Sequence, residues 1–215
     1  VSPTECAIVV HQRHVGNIRH QSSCRSATFV VLATDRGLLL FASVHLPHSS
    51  QEGWGLDESL LEIGEKLRAI TYDFVVIGGD FNISFVDVLA VQENTNLALR
   101  HDAEMLAGGE QIRALGMGQD KAERVEALLL FMCVADIKAV AHVVFGASQI
   151  GWTQHLQIFQ NLPLYRCVDA FLCSKDFRAE AVVIPELYVK SDHRGCCASS
   201  CTTARGNKFC QRQGQ

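Results

Sequence analysis

Residues 74–82 read Phe-Val-Val-Ile-Gly-Gly-Asp-Phe-Asn, and this stretch decides the fold. Its first four residues are apolar, which is typical of a buried β-strand, and the glycines end that strand abruptly at a loop. A strand end can aim side chains into a cleft, and glycines let a substrate come close. There Asp80 can orient or deprotonate a water molecule, and Asn82 can donate to a phosphoryl oxygen. An ordinary turn is the alternative, because turns of any protein favour Gly, Asp and Asn.

The residues before this strand predict an antiparallel start followed by a helix. Apolar runs at 7–10, 27–33 and 38–46 predict strands, and Thr34-Asp35-Arg36-Gly37 predicts a hairpin between the last two. Apolar residues then recur at helical spacing from Leu56 to Ile70. Acids lie in the first turn of this segment and bases in the last, as the helix dipole favours.

Downstream of residue 82 the sequence mixes helical and strand patterns. A polar, Ala-rich stretch at 94–115 and the segment 120–134 predict two helices. Strand-like segments return at 140–145, 150–153, 168–173 and 181–189. Strands mixed with flanking helices, many of them in hairpin order, indicate an α/β or α+β sandwich.

The C-terminal residues carry polar, small and Cys residues without a period. We therefore expect one domain over 1–195 and an unstructured tail over 196–215. Of the nine cysteines, those in this tail fit none of the usual paired-Cys zinc patterns, so we expect no zinc site. They are Cys196, Cys197, Cys201 and Cys210. The others lie in or beside apolar stretches, where a thiol behaves as a small hydrophobe, which favours a reducing, intracellular compartment.

The overall composition limits the classes of partner. The chain has 215 residues, 48% of them hydrophobic, which is enough for one substantial core. No window approaches the roughly 18 apolar residues that a membrane helix needs, so we expect no membrane association. A net charge of -4 at pH 7 counts against tight non-specific DNA binding. The locally basic stretch, residues 11–25, is expected to be a solvated loop rather than a nucleic-acid contact.

Two further groups of residues carry chemistry. Ser191-Asp192-His193 joins a hard oxygen ligand for a divalent cation to an imidazole that can move a proton near neutral pH. Asp169 lies inside an apolar run, where a carboxylate needs a partner, and His193 is a candidate for it. A surface loop remains the alternative for the first group, and a backbone-bonded core acid for the second.

Four short motifs occur in a fixed order at predicted strand ends. They are Val44-His45-Leu46-Pro47, Gly79-Asp80-Phe81-Asn82, Val168-Asp169-Ala170-Phe171-Leu172-Cys173-Ser174 and Ser191-Asp192-His193. Over residues 6–195 this set resembles the endonuclease/exonuclease/phosphatase superfamily, which includes several DNA endonucleases, sphingomyelinases and inositol-polyphosphate phosphatases. The spacing is most similar to the endonuclease domains of non-LTR retrotransposons. The resemblance implies a four-layer α/β/β/α sandwich, incomplete at its N-terminus and at its C-terminal edge.

The resemblance also implies a role for each matched residue. Asp80 would activate the attacking water, and Asn82 would hold the scissile phosphate. His193 would stabilise the charge that develops on the phosphate, with Asp169 bonded to its ring. Asp192 would help to hold a Mg²⁺ or Mn²⁺ ion, since a hard dication on oxygen ligands suits phosphoryl chemistry.

The sequence also departs from the family pattern. The family begins with a strand that carries an Asn and a second strand that ends in the Glu that is its principal metal ligand, and no residue here matches either. Glu5 abuts a run that resembles a later strand of the family, and His45 is expected only to shape its strand end. We therefore expect a DNA endonuclease of retrotransposon type, nuclear in location, with impaired or absent catalysis in the chain as given. The alternatives are a phosphomonoesterase or lipid phosphodiesterase of the same superfamily, and a non-catalytic remnant.

Overall fold

A computed structural model describes residues 6–48, 55–85, 88, 119–140, 142–143, 154–159, 162–166, 168–177, 179–184 and 195–200. The strands in these ranges are β1 (Ile18–Cys24), β2 (Ala27–Thr34), β3 (Gly37–His45), β4 (Phe74–Asp80), β5 (Ile137–Val140), β6 (His142–Val143), β7 (Gln154–Phe159), β8 (Leu162–Arg166), β9 (Asp169–Ser174), β10 (Ala179–Ile184) and β11 (Gly195–Ser200). The helices are α1 (Leu56–Ala69) and α2 (Gln119–Val134), preceded by a 3-10 helix at Gln12–Asn17.

The main feature is a mixed sheet with the strand order β1-β2-β3-β4-β9-β5. β3 and β4 pair in parallel, and the other neighbours pair antiparallel. A parallel pair needs a crossover connection, and α1 lies in the chain between these two strands. β6, β10 and β11 form a second, three-stranded sheet, and β7 pairs with β8. This mixture of sheet and helices confirms the predicted α+β class, whereas the four-layer arrangement stays a prediction.

The local elements before residue 82 fold as their patterns predict. β2 and β3 form a hairpin around Asp35 and Arg36, and Gly37 has a φ of 116°, which favours glycine. In α1 the buried residues include Leu60, Ile63 and Leu67, which follow the helical period. The predicted helix at 120–134 is confirmed as α2, while the predicted helix at 94–115 lies outside the described residues.

The two faces of the six-stranded sheet have separate cores. One face packs against α1 and α2 and buries large side chains such as Phe29, Leu40, Ile77 and Leu172. The other carries a smaller cluster of Val76, Val140, Cys173 and Phe177. Successive side chains of a strand alternate between faces. In β4, Val75 and Ile77 therefore point to the helices, and Val76 points away from them.

The predicted strand at 7–10 is wrong. Residues 6–11 form no regular structure, and Val9 is 95% exposed. The strand that pairs with β2 at this edge is β1, whose side chains are mostly exposed and polar. An edge strand held by backbone pairing needs no apolar alternation, so the sequence pattern did not reveal it. The basic stretch 11–25 is accordingly a 3-10 helix and a strand rather than a loop.

The expectation of an unstructured tail is wrong for residues 196–200. β11 pairs with β10 over six residues, from Ala179↔Ser200 to Ile184↔Gly195. Small residues without apolar alternation do not predict a strand, and here pairing with β10 orders residues 195–200. Residues 201–215, with Cys201 and Cys210, lie outside the described residues.

The later predicted strands are confirmed only where the structure describes them. The 140–145 prediction falls on β5 and β6, and the 168–173 and 181–189 predictions fall on β9 and β10. The segment 150–153 lies outside the described residues. Neither described helix is long and apolar enough to cross a membrane.

Candidate active site

Strand register brings three residues of the sequence motifs into one row. Asp80, the last residue of β4, pairs with His45 of β3 on one side and with Asp169 of β9 on the other. Side chains directly opposite each other in a sheet project from the same face, with Cβ atoms about 5 Å apart. The row therefore places two carboxylates and an imidazole side by side at one end of the sheet.

This row lies on the face of the sheet that points away from α1 and α2. In a strand, residues an even number of positions apart project from the same face. Asp80 therefore shares a face with Val76, which belongs to the smaller cluster, and Asp169 shares one with Phe171, which packs against that cluster. On this face a cleft of about 590 Å³ is lined by residues of β3, β4 and β9 and by residues 7–9, Asp169 among them. A cleft of this size suits a small ligand or one unit of a polymer.

Backbone hydrogen bonds continue the ladder beyond the strand ends. Leu46 N donates to Asp80 O at 2.9 Å, and Phe81 N donates to Val168 O at 3.0 Å. His45 N donates to Ser26 O at 3.0 Å. The backbone that carries the row is thus bonded on both sides, so that each side chain starts from a fixed Cα position.

Asn82 is held in a tight turn directly after Asp80. Its φ is 50°, a left-handed conformation that Asn tolerates better than most residues. Its N–H donates to Asp80 Oδ1 at 2.8 Å, and its Nδ2 donates to Leu46 O at 2.8 Å. An amide nitrogen carries two N–H groups. The contact with Leu46 uses one of them, and the other is the donor that a phosphoryl oxygen would require.

The two glycines before Asp80 are required by packing against neighbouring strands. At Gly79, where φ is 145°, a Cβ would collide with the carbonyl oxygen of Val44. At Gly78 a Cβ would collide with the ring of Phe171. The space that an added Cβ would need is therefore filled by β3 and β9. Both glycines also line the cleft, and their role in substrate approach stays a prediction.

Arg124 in α2 is a site residue that the sequence did not reveal. It is half-buried, and its Nη2 donates to Pro47 O at 2.7 Å and to Asn82 O at 3.4 Å. Burial lowers the pKa of Arg124, while the nearby Asp57 carboxylate acts in the opposite direction. The available signal was an arginine at the margin of an apolar helix face, from which a long side chain can reach loop carbonyls.

The remaining predicted site residues, Asp192 and His193, lie outside the described residues, so the pairing of Asp169 with His193 stays a prediction. Asp80 and Asp169 offer the hard oxygen atoms that Mg²⁺ prefers. Within the described ranges, however, no group of three or more His, Cys, Asp or Glu side chains is placed to hold a metal ion. The described residues therefore do not form a complete cation site by themselves.

Comparison with known proteins identifies the fold. No family model and no curated protein matches the chain, but solved structures do, and the fold is that of the endonuclease/exonuclease/phosphatase superfamily, as the motifs predicted.

Two of these structures show how far the likeness extends. One is the endonuclease domain of TRAS1, a telomere-specific non-LTR retrotransposon, with 13% identity and a TM-score of 0.50 over 94% of this chain and 72% of that one. Another is an endonuclease/exonuclease/phosphatase family protein from Leptotrichia buccalis, with 13% identity and a TM-score of 0.53. The match covers 86% of this chain and 62% of that one, so this chain spans less than two thirds of its length.

Proposed function

We propose that this chain derives from a divalent-metal-dependent phosphodiester hydrolase, and that the activity is that of a DNA endonuclease of retrotransposon type. The observation that carries the proposal is the row of Asp80 and Asp169 in register at the ends of β4 and β9. Asn82 follows in a turn bonded to Asp80, and a cleft opens on the same face. The likeness to the TRAS1 endonuclease domain over 94% of the chain supports the choice of DNA among phosphate esters.

In the proposed reaction Asp80 orients a water molecule and takes its proton. The carboxylate is half-buried at the strand end, next to the cleft-lining Gly79, and its bond from Asn82 N fixes one oxygen. A general base of this kind contributes about 10²- to 10⁴-fold to a rate. Asn82 donates an N–H to a phosphoryl oxygen, which stabilises the negative charge that grows on the phosphate.

Asp169 and the residues of the last motif complete the proposed site. Asp169 accepts from the ring of His193 and fixes its tautomer, and His193 donates to the phosphate. Asp192 would contribute an oxygen ligand to a Mg²⁺ or Mn²⁺ ion, which would neutralise charge at the phosphate when bound. Because no residue of this sequence matches the Glu that is the principal metal ligand of the superfamily, we propose that catalysis by this chain is weak or absent.

Nicking of supercoiled plasmid with Mg²⁺ tests this function. The chain should nick slowly, and Asp80→Asn should slow nicking by at least about a further 100-fold, since it removes the base while keeping the shape. Asp120→Asn, a matched change of an exposed Asp in α2, should leave the rate unchanged. Equal nicking by wild type and Asp80→Asn would disprove the site.

The same preparation separates the alternative functions. Release of phosphate from an inositol phosphate, or hydrolysis of sphingomyelin, without DNA cleavage would indicate a phosphomonoesterase or lipid phosphodiesterase. No hydrolysis of any of these esters by the chain would indicate a non-catalytic remnant. An intracellular, nuclear location follows from the proposed DNA substrate, and imaging of a fluorescent fusion checks it.

A further inference from the structure

One guanidinium group joins the two segments that follow β3 and β4. Arg124 Nη2 donates to the carbonyl of Pro47, just after β3, and to the carbonyl of Asn82, just after β4. These carbonyls lie 77 and 42 residues away from Arg124 in the chain. The geometry points to Arg124 as a positioning residue. It holds the segment just after β3, at Leu46 and Pro47, and the Asp80–Asn82 turn in the relative positions that the proposed site needs. This inference rests on the function proposed above.

The same two segments are also bonded directly to each other. Asn82 Nδ2 donates to Leu46 O, and Leu46 N donates to Asp80 O. Asn82 N in turn donates to the Asp80 carboxylate. A shift of the loop after β3 is therefore transmitted to the side chains of both Asp80 and Asn82. Arg124 adds a support from outside the sheet, because it is anchored on a helix.

The helix that carries Arg124 is itself fixed by packing. The neighbouring Val125 and Leu128 are completely buried in the core between α2 and the sheet. The Cα of Arg124 therefore cannot move without disturbing that core. The arrangement connects the Asp80–Asn82 turn through one side chain to the packed helix α2.

An arginine suits this task better than a lysine. Both bonds come from Nη2, which is held in the guanidinium plane and lies one bond farther from Cα than a lysine Nζ, whereas an ammonium is a compact point charge on a flexible stem. The guanidinium also stays protonated when half-buried, because its pKa lies so far above neutral. Arg124→Lys should therefore keep the charge but lose part of the positioning.

Hydrogen exchange of the folded chain tests the inference without any need for activity. In Arg124→Ala the amides of Leu46 and Asn82, which both donate to Asp80, should exchange about tenfold faster through local opening. The amides of the β2–β3 ladder should keep their rates, and Arg124→Lys should fall between Arg124→Ala and wild type. Lys121→Ala, which removes an exposed cation from the same helix, is the matched control and should change neither amide.

A uniform rise in exchange over the whole sheet would show that Arg124 only stabilises the fold, and unchanged rates at Leu46 and Asn82 would also overturn the inference. Both outcomes are independent of catalysis, so they are distinguishable from a failure of the proposed function. A failure of the proposed function would show as a wild-type chain that cleaves no DNA.

Kinetics of DNA cleavage by the chain give a second test. Because small misplacements of catalytic groups cost up to about 100-fold, Arg124→Ala should lower kcat about 10- to 100-fold with little change in KM. Added millimolar guanidinium should restore part of the rate of Arg124→Ala and none of that of Asp80→Asn. A fall that appears only in KM, or a rate that guanidinium does not restore, would overturn the positioning role.

Discussion

The two faces of the six-stranded sheet are built from the same strands but have different roles. On the helix-covered face, large apolar side chains run the length of the strands and are completely buried, as Leu40 and Leu172 are. On the opposite face the apolar cluster is smaller, and His45, Asp80 and Asp169 lie in one row at one end of the sheet. Because successive side chains of a strand point to opposite faces, neighbouring residues of one strand lie alternately on the core face and on the face of the candidate site. The comparison suggests that the helix face supplies the stability on which the other face depends.

The largest loss of stability is expected from a substitution at Gly79. Gly79→Ala should destabilise the fold by about 4 kcal/mol, since it adds a Cβ at an unfavourable φ and against the carbonyl oxygen of Val44. Gly16→Ala, where nothing lies within 4 Å of the added Cβ, is the matched control and should change stability by less than about 0.5 kcal/mol. Urea unfolding measures both. Equal midpoints for the two variants would contradict the packing of β4 against β3.

Adjacent leucines of β3 compare the two faces directly. Leu40→Ala, on the helix face, should cost about 3 kcal/mol, because it leaves a cavity in a completely buried position. Leu39 lies on the opposite face, which carries the candidate site and is called the site face here, and it is only half-buried. Leu39→Ala should cost about 1 kcal/mol of unfolding free energy, because it loses little more than the transfer free energy of a partly exposed side chain. Chemical denaturation gives both values. If the two costs are equal, the site face is covered as fully as the helix face.

Asn82 tests how the turn at the end of β4 is held. Asn82→Ala should lose about 2 kcal/mol, because it removes the bond to Leu46 O and leaves an Ala at a φ of 50°. Asn82→Gly loses the same bond but accepts that φ, so it should be about 1 kcal/mol more stable than Asn82→Ala. Thermal or urea unfolding distinguishes the two. The reverse order of stability would rule out a left-handed turn at this position.

The smallest effect concerns two buried thiols, Cys24 on the helix face and Cys173 on the site face. Burial raises the pKa of each thiol above its usual value of 9.0. The folded chain therefore binds these protons more tightly than the unfolded chain, so stability should fall slightly as pH rises from about 9 towards the folded pKa. Urea midpoints at pH 8 and pH 10 should show a smaller fall in Cys173→Ala than in wild type.

Alkylation compares the accessibility of the same thiols. At pH 8 the exposed Cys133 should react first, and Cys24 and Cys173 should react slowly and at similar rates, because each is buried and mostly protonated. Mass spectrometry of the labelled peptides measures this order. If Cys173 reacts as fast as Cys133, the site face opens in solution far more than its packing indicates.

Much of this fold was readable from local patterns. The hairpin at 34–37 and the helix from Leu56 carry turn and helix signals that need no partner, and both are confirmed. β1 and β11 were missed for one reason: each is ordered by pairing with a neighbouring strand, and its own residues carry no apolar alternation. Pairing between distant segments is a tertiary effect that single-sequence patterns do not contain.

The candidate site was predicted by residue type but not by arrangement. Asp80, Asn82 and Asp169 were identified from strand-end motifs, and the structure places Asp80 and Asp169 in one row. The sequence did not reveal that His45 shares this row, because register depends on which strands pair. Nor did it reveal Arg124, whose partners are backbone carbonyls and so leave no trace in side-chain patterns.

The pairing of Asp80 with Asp169 also bears on how the molecule folds. The β2–β3 hairpin and α1 involve contacts that are local in sequence and can form early, whereas β4 and β9 are separated by most of the downstream chain, and such contacts form slowly. On a ribosome β4 emerges long before β9, so the two carboxylates meet only after β9 has been made and has docked. The proposed site would then be assembled by one of the latest steps of folding, and the nascent chain would carry Asp80 long before the carboxylate that completes the row.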